Sequence, residues 1–342
     1  TLCVAGCGGV SHKSPEKVTE ELIQSYVDGK ENKVKDCYNQ KDNTEADLQT
    51  EITATLKYFE AHNPKKVSIQ DCQVLSQNDN YTYVYITYNL ILEDDQEYPC
   101  IGTYMVGKKG KDYYILPPSQ ITDEMRNQAA SEYARFMTTE TYKEYTKADG
   151  KHVVINDRIK KLAKCIVGTE TNPVKKASLI YDWIVSRFPW AGARDYGTIP
   201  NIPDYVLDIH HGDCGQVALL YISLVRAVGV PARWESGWML HPWEKNYHDW
   251  AETYFEGIGW VPTDVSFGRN DDPAFKEYYK TGTDVYRFAS NCDYSEKLYP
   301  EKKYLRTDPM DFQAGEAEWR NGNIEGTDYS SKLTVVSFEP IK

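Results

Sequence analysis

One stretch, residues 211–268, constrains this chain more than any other. It reads HGDCGQVALLYISLVRAVGVPARWESGW and, after a nine-residue insert, HDWAETYFEGIGWVPTDVSFG. Val217, Leu220, Tyr221, Leu224, Val225 and Val228 recur at helical spacing after Cys214, and Gly229-Val230-Pro231 stops the run. The spacing predicts a buried helix over 214–228, a strand over 231–238 and a loop over 239–247. A hairpin of strands 248–255 and 260–264 follows, turning at Glu256-Gly257-Ile258-Gly259. A cysteine thus opens a helix, a histidine opens a strand, and Asp264 closes the next strand. If Tyr254 pairs with Trp260, Asp264 is a diagonal neighbour of His248 on one face. A slip of one residue would put them on opposite faces.

These three side chains are of the types a thiol mechanism needs: Cys214 as nucleophile, His248 as base, Asp264 to orient the base. A helix N-terminus favours the thiolate through the macrodipole and free N–H groups, so the Cys214 thiol is expected to have a lowered pKa. A merely structural cysteine sits mid-helix on the apolar face, whereas Cys214 sits at the end beside Asp213 and Gln216. A lone strand histidine is more commonly a core residue; the aspartate sixteen places on raises the functional reading. His210, His211, Asp213 and Cys214 do not read as a metal site, because adjacent histidines cannot both turn to one ion. No metal and no cofactor are expected. His241, in the insert, is expected to be a solvated loop residue.

Upstream, Ser14-Pro15-Glu16 is a helix start, and Val18, Leu22, Ile23, Tyr26 and Val27 give its apolar face. A second helix is expected from Thr44, with Leu48, Ile52, Leu56 and Phe59 inward, until Asn63-Pro64. Strands are expected over 66–75, 81–92, 96–106 and 112–116. The segment YTYVYITYNLIL alternates, with Val84, Ile86, Tyr88, Leu90 and Leu92 on one face and Tyr81, Tyr83 and Tyr85 on a half-exposed other face. Helices followed by strands make an α+β roll. It is similar in architecture to small cystatin-like or nuclear-transport-factor-like modules. Pro117-Pro118 marks a boundary, and a polar connecting helix follows. Apolar-periodic helices are expected over 154–167 and from Pro173, the latter with Leu179, Trp183 and Ile184 buried. The expected divisions are 1–14, 15–118, 119–150, 151–270 and 271–342.

The net charge of −12 excludes nucleic acid and anionic membrane surfaces as partners, and no run is long enough to span a bilayer. Val4-Ala5-Gly6-Cys7 resembles a bacterial lipobox, which implies lipidation of Cys7, a polar tether, and an extracytoplasmic, lipid-anchored location. A monomer is expected. Among the eight cysteines, Cys72 and Cys100 lie in one sheet and could pair; unpaired, buried cysteine is the default.

Gly212-Asp213-Cys214-Gly215-Gln216-Val217-Ala218, Gly229-Val230-Pro231-Ala232-Arg233, His248-Asp249-Trp250 and Gly259-Trp260-Val261-Pro262-Thr263-Asp264 resemble the bacterial transglutaminase-like superfamily. The resemblance spans residues 156–268 and implies an α+β fold with a papain-like core. It implies Cys214, His248 and Asp264 as catalytic residues, with Asp213, Gln216 and Trp250 as neighbours at the substrate cleft. The backbone N–H of Cys214 is one candidate oxyanion donor, and the Trp190 indole is the candidate for the second. The tail, with Tyr286-Arg287-Phe288 and residues 311–316, is expected to pack on the core and cover part of the cleft. The expected activity is a cysteine amide hydrolase or peptidase acting on a protein or peptide through an acyl-thioester. The alternatives are a transglutaminase with an amine acceptor, and a non-catalytic peptide- or glycan-binding module.

Overall fold

A computed structural model describes residues 9–93, 95–192, 194–295, 298, 300–308, 310–324, 328, 330 and 332–337. Cys3 and the lipobox through Cys7 lie outside the described residues. The chain forms two compact units, 1–137 and 138–342.

The first unit opens with α1 (Pro15–Val27), α2 (Glu31–Cys37) and α3 (Ala46–His62). Ser14 caps α1 by accepting from the Lys17 N–H, with Pro15 at the first helical position. Asn63, in the left-handed region at φ 44°, ends α3 before Pro64. A four-stranded antiparallel sheet follows in the order β1 (Lys66–Gln77), β2 (Thr82–Ile91), β3 (Glu97–Lys109), β4 (Asp112–Ile115). Val18, Leu22 and Ile23 of α1 join Leu48, Ile52 and Phe59 of α3 over Val84, Ile86, Tyr88 and Leu90.

One expectation fails in this unit, and of the two possibilities for Cys72 and Cys100 the unpaired default is the one found. The tyrosine face is half-exposed only at Tyr85. Tyr81 and Tyr83 are buried against Met105, Ala129, Met125 and Tyr133, because the first turns of α4 (Asp123–Tyr145) cover that face. Cys72 and Cys100 are both free thiols. Their strands flank β2, where Cys72 pairs with Ile86 and Cys100 with Tyr88. Two strand spacings of about 4.8 Å lie between them, beyond the reach of a disulfide.

The second unit contains α5 (Asp157–Val167), α6 (Pro173–Val185), α7 (Ile202–Ile209) and α8 (Cys214–Ala227). Its antiparallel sheet runs β7 (Gly259–Thr263), β6 (Lys245–Phe255), β5 (Ala232–Leu240), β8 (Arg287–Cys292), and a short α9 (Pro273–Tyr278) precedes β8. Twelve residues of α8, from Gly215 to Arg226, are buried, so the helix is enclosed by its neighbours and only its N-terminal end reaches an opening. In α6 the buried side is Ala177, Ile180, Tyr181 and Ile184. Leu179 is exposed, one step around the helix from the expected face. The insert is a strand connection rather than a long loop: β5 continues to Leu240 and β6 begins at Lys245. Among the described residues no helix is long and apolar enough to cross a membrane.

Candidate active site

The sulfur is placed by the cap of α8. Asp213 is the N-cap, its carboxylate accepts from the Gln216 N–H at 3.0 Å, and the Gln216 side chain reaches back to the Asp213 N–H at 3.4 Å. This capping box satisfies two otherwise unpaired donors and fixes Cys214 as the first helical residue. Close packing surrounds it. A Cβ added at Gly215 would stand 2.4 Å from the Tyr196 hydroxyl and 2.6 Å from Asp249 Oδ2, so only glycine fits beside the thiol. Tyr196 donates to Asp213 Oδ1 at 2.5 Å.

The hairpin supplies the other two groups. Tyr254 pairs with Trp260 and Ala251 with Thr263, which is the register that puts Asp264 beside His248. His248 Nε2 lies 2.7 Å from Asp264 Oδ2, and both side chains are buried. The other oxygen, Oδ1, accepts from the N–H groups of Ser266 and Phe267 at 3.0 and 2.9 Å. Burial alone would push the Asp264 pKa up. His248, the Arg287 guanidinium and the Phe267 N–H outweigh it and hold the carboxyl below its usual range. Burial lowers the His248 pKa against the opposing pull of Asp264, so the imidazole is neutral at pH 7. With Nε2–H given to Asp264, Nδ1 is the nitrogen left to accept a proton.

Cys214 and His248 line one cavity of about 930 Å³ together with Asp213 and Trp190. Trp190 is 65% exposed, and its backbone bridges Gly212. Asp264 stands behind the histidine. Gln216 and Trp250 do not line the cavity. Gln216 is buried by its capping role. Trp250 is buried with its ring centroid 6.0 Å from that of His248, and its indole N–H is taken by Glu235. His241 is buried rather than solvated, ringed by Trp243, Phe267 and Tyr286.

The thiol expectation is also corrected. Burial raises the Cys214 pKa well above its ordinary value, and the Asp249 and Asp213 carboxyls add to this whenever they are ionised. The helix end does not prevail, because the sulfur is buried and its thiol donates to Asp249 Oδ2, 3.4 Å away.

Three contributors were missed in the sequence. Asp249 follows the histidine and reaches the sulfur. Arg287, from β8, donates to Asp264 Oδ2 at 2.9 Å and to Asp284 Oδ2 at 3.0 Å. Gln313 Nε2 donates to the His248 carbonyl at 3.0 Å and to Asp249 Oδ1 at 2.5 Å. No short-range spacing announces contacts across 64 or 65 residues. Elsewhere, Glu235, Glu252 and Cys292 bring one possible metal-ligand atom each within 4.8 Å of one another. Glu252 is already paired with Arg233, and Glu235 with the Trp250 indole.

Residues 160–265 match the family model described as transglutaminase-like superfamily. This chain carries a transglutaminase-like domain. The fold is accordingly a mixed α+β one with a transglutaminase-like core and an additional α+β unit ahead of it. An uncharacterized protein of Haemophilus influenzae is 31% identical over 147 residues, covering 35% of this chain and 39% of that relative. The uncharacterized protein YebA of Bacillus subtilis is 24% identical over 231 residues, covering 57% of this chain and 31% of YebA. The chain thus spans well under half the length of either relative. Among solved structures, the periplasmic domain of TgpA from Pseudomonas aeruginosa aligns at 14% identity, covering 56% of this chain and 72% of that one. The superposition is loose, with a TM-score of 0.32.

Proposed function

We propose that this chain is a cysteine amide hydrolase or peptidase that works through an acyl-thioester, with Cys214, His248 and Asp264 as its catalytic residues. The observation that carries the reading is the buried 2.7 Å bond from His248 to Asp264 at the wall of the cavity that also holds the Cys214 thiol. Neutral His248 takes the thiol proton on Nδ1, and the sulfur attacks an amide carbonyl. The Cys214 N–H and the Trp190 indole N–H receive the developing oxyanion. His248 then gives the proton to the departing amine and afterwards deprotonates water, which releases the acid. The substrate is a protein or peptide.

A second reading, transfer to an amine, draws support from the cavity wall. Asp195, Glu244 and Asp308 line it, and the only Lys or Arg among the described lining residues is Arg269. That guanidinium is engaged by the carbonyls of Phe188 and Gly212. A wall of this charge favours a cationic amine. Incubation with a labelled amine and a glutamine-rich protein, beside a peptide library, separates the two: incorporation supports transfer, and cleavage alone supports hydrolysis. Retained turnover in Cys214→Ala would end the thiol mechanism. A Cys214 inert to iodoacetamide, with no turnover, would leave a peptide- or glycan-binding module. The Val4-Ala5-Gly6-Cys7 motif supports a lipid-anchored, extracytoplasmic location for this activity. A fatty-acid label unchanged by Cys7→Ala would remove it.

A further inference from the structure

Asp249 is a buried titratable group that the mechanism above leaves unused, and it touches the reacting atom. Its Oδ2 lies 3.4 Å from Cys214 Sγ, and its Oδ1 accepts from Gln313 Nε2. The groups packed around it are almost all acids or neutral donors. From α8 come Cys214 and Asp213; from the loop before α7 comes Tyr196, whose hydroxyl is held by Asp213; from the tail comes Asp311, with Asp308 beside it. On its own strand, His248 is committed to Asp264. Arg269 acts on Asp213 and Cys214 but donates to backbone carbonyls. Among the described residues no Lys or Arg forms an ion pair with Asp249. A carboxylate so placed has no counter-ion, and the inexpensive state is the neutral acid. Burial, then Asp311 and Asp213, push the Asp249 pKa well above the carboxylate range. With the thiol intact, Oδ2 accepts from Cys214 Sγ and Oδ1 from Gln313 Nε2. Once His248 has taken the thiol proton, Oδ2 is the oxygen that faces the sulfur, and a proton held there points at the thiolate.

We propose that Asp249 is a fourth catalytic residue: its neutral carboxyl donates a hydrogen bond from Oδ2 to the Cys214 sulfur and stabilises the thiolate formed when His248 removes the thiol proton. The inference rests on Cys214 being the nucleophile. The proton balance is simple. The Cys214 proton moves to His248 Nδ1, giving thiolate and imidazolium, while the Asp249 proton stays on its own oxygen and is only shared. When Asp249 ionises, the donor becomes a negative charge 3.4 Å from the sulfur, which disfavours the thiolate by at least about tenfold. The alkaline limb of activity is then set by Asp249, and the site works best while this acid is protonated.

Asp249→Asn reproduces the protonated form: its amide oxygen can accept from Gln313 while its N–H donates to the sulfur. Capture of Cys214 by iodoacetamide is followed by mass spectrometry from about pH 5 to about pH 9, with turnover alongside. The expected result is that Asp249→Asn reacts at least about tenfold faster than the unmutated chain at the alkaline end and loses the alkaline limb of turnover. An unchanged limb, or a folded Asp249→Asn that is slower throughout, overturns the role of Asp249. An unmutated Cys214 that resists capture, with turnover surviving in Cys214→Ala, overturns the nucleophile reading instead. Should Asp249→Asn fail to fold, infrared spectra of the unmutated protein decide. A protonated-carboxyl band at neutral pH that shifts when Cys214 is alkylated is expected, and its absence refutes the proposal.

Discussion

Replacing Arg287 by Met tests how the base is held. Arg287 Nη2 sits 2.9 Å from Asp264 Oδ2 and 3.0 Å from Asp284 Oδ2, in a side chain that is 4% exposed. Its guanidinium also lies over the Phe267 ring at 4.3 Å. Met keeps the apolar stem and removes the cation, leaving two acids facing each other. An opposite-charge contact of this length is worth about 6 kcal/mol at an effective dielectric of about 20. Asp264 keeps His248 and two backbone N–H donors, so we expect the loss in urea unfolding to be about 3 kcal/mol. The electrostatic consequence is separate. Arg287 opposes protonation of His248, so its removal raises the His248 pKa. The base works only when neutral, so the acid limb of kcat/KM moves to higher pH, by about one pH unit. The assay is kcat/KM against pH on a peptide taken from the library screen. Arg287→Lys retains the charge and should keep the limb near its original position. A folded Arg287→Met with an unmoved acid limb would refute the reasoning, since a purely structural role predicts lost stability alone.

Trp190→Phe keeps the cavity wall and deletes the indole donor; kcat should fall about tenfold to a hundredfold with KM little changed, and an unchanged kcat rules the indole out. Gly237→Ala would place a Cβ 1.9 Å from the Phe288 carbonyl oxygen. It should separate β5 from β8 and cost at least about 2 kcal/mol in denaturant unfolding; an unaltered midpoint contradicts that. His152 is buried with an unpaired Nδ1, and burial, then Lys151, lower its pKa to about 4. Between that value and about 6.5 the unfolded chain binds the extra proton, so stability is full above this window and falls as pH drops through it. The loss is at most about 3 kcal/mol. His152→Gln should flatten that slope, and an equal slope in both proteins counts against it.

The hairpin was legible because its register follows from a four-residue turn and a period of two. Once Tyr254 faces Trp260, Asp264 has one place to go. The Cys214 helix was legible because its stop signal and apolar repeat agree. The seven-residue α2 was missed, since Glu31–Cys37 buries only Val34 and Cys37 and presents no repeat. The acidity of the thiol was misjudged for a different reason. The helix end is a local property, but the burial that outweighs it is set by the whole fold, and the carboxyl that faces Sγ comes from a strand 35 residues away. Arg287 and Gln313 arrive from further still, through strand pairing and tail packing that no periodicity encodes.

Asp264 Oδ2 is shared between a histidine inside the matched segment and an arginine outside it. Anyone who trims the gene at residue 265 would keep Cys214, His248 and Asp264 and discard the guanidinium that donates to Asp264 and the carboxamide that donates to Asp249. Such a minimal fragment would carry the complete chemical inventory in the wrong electrical setting. The unit to express, transplant or redesign when the proposed mechanism is tested is therefore the stretch through at least Gln313.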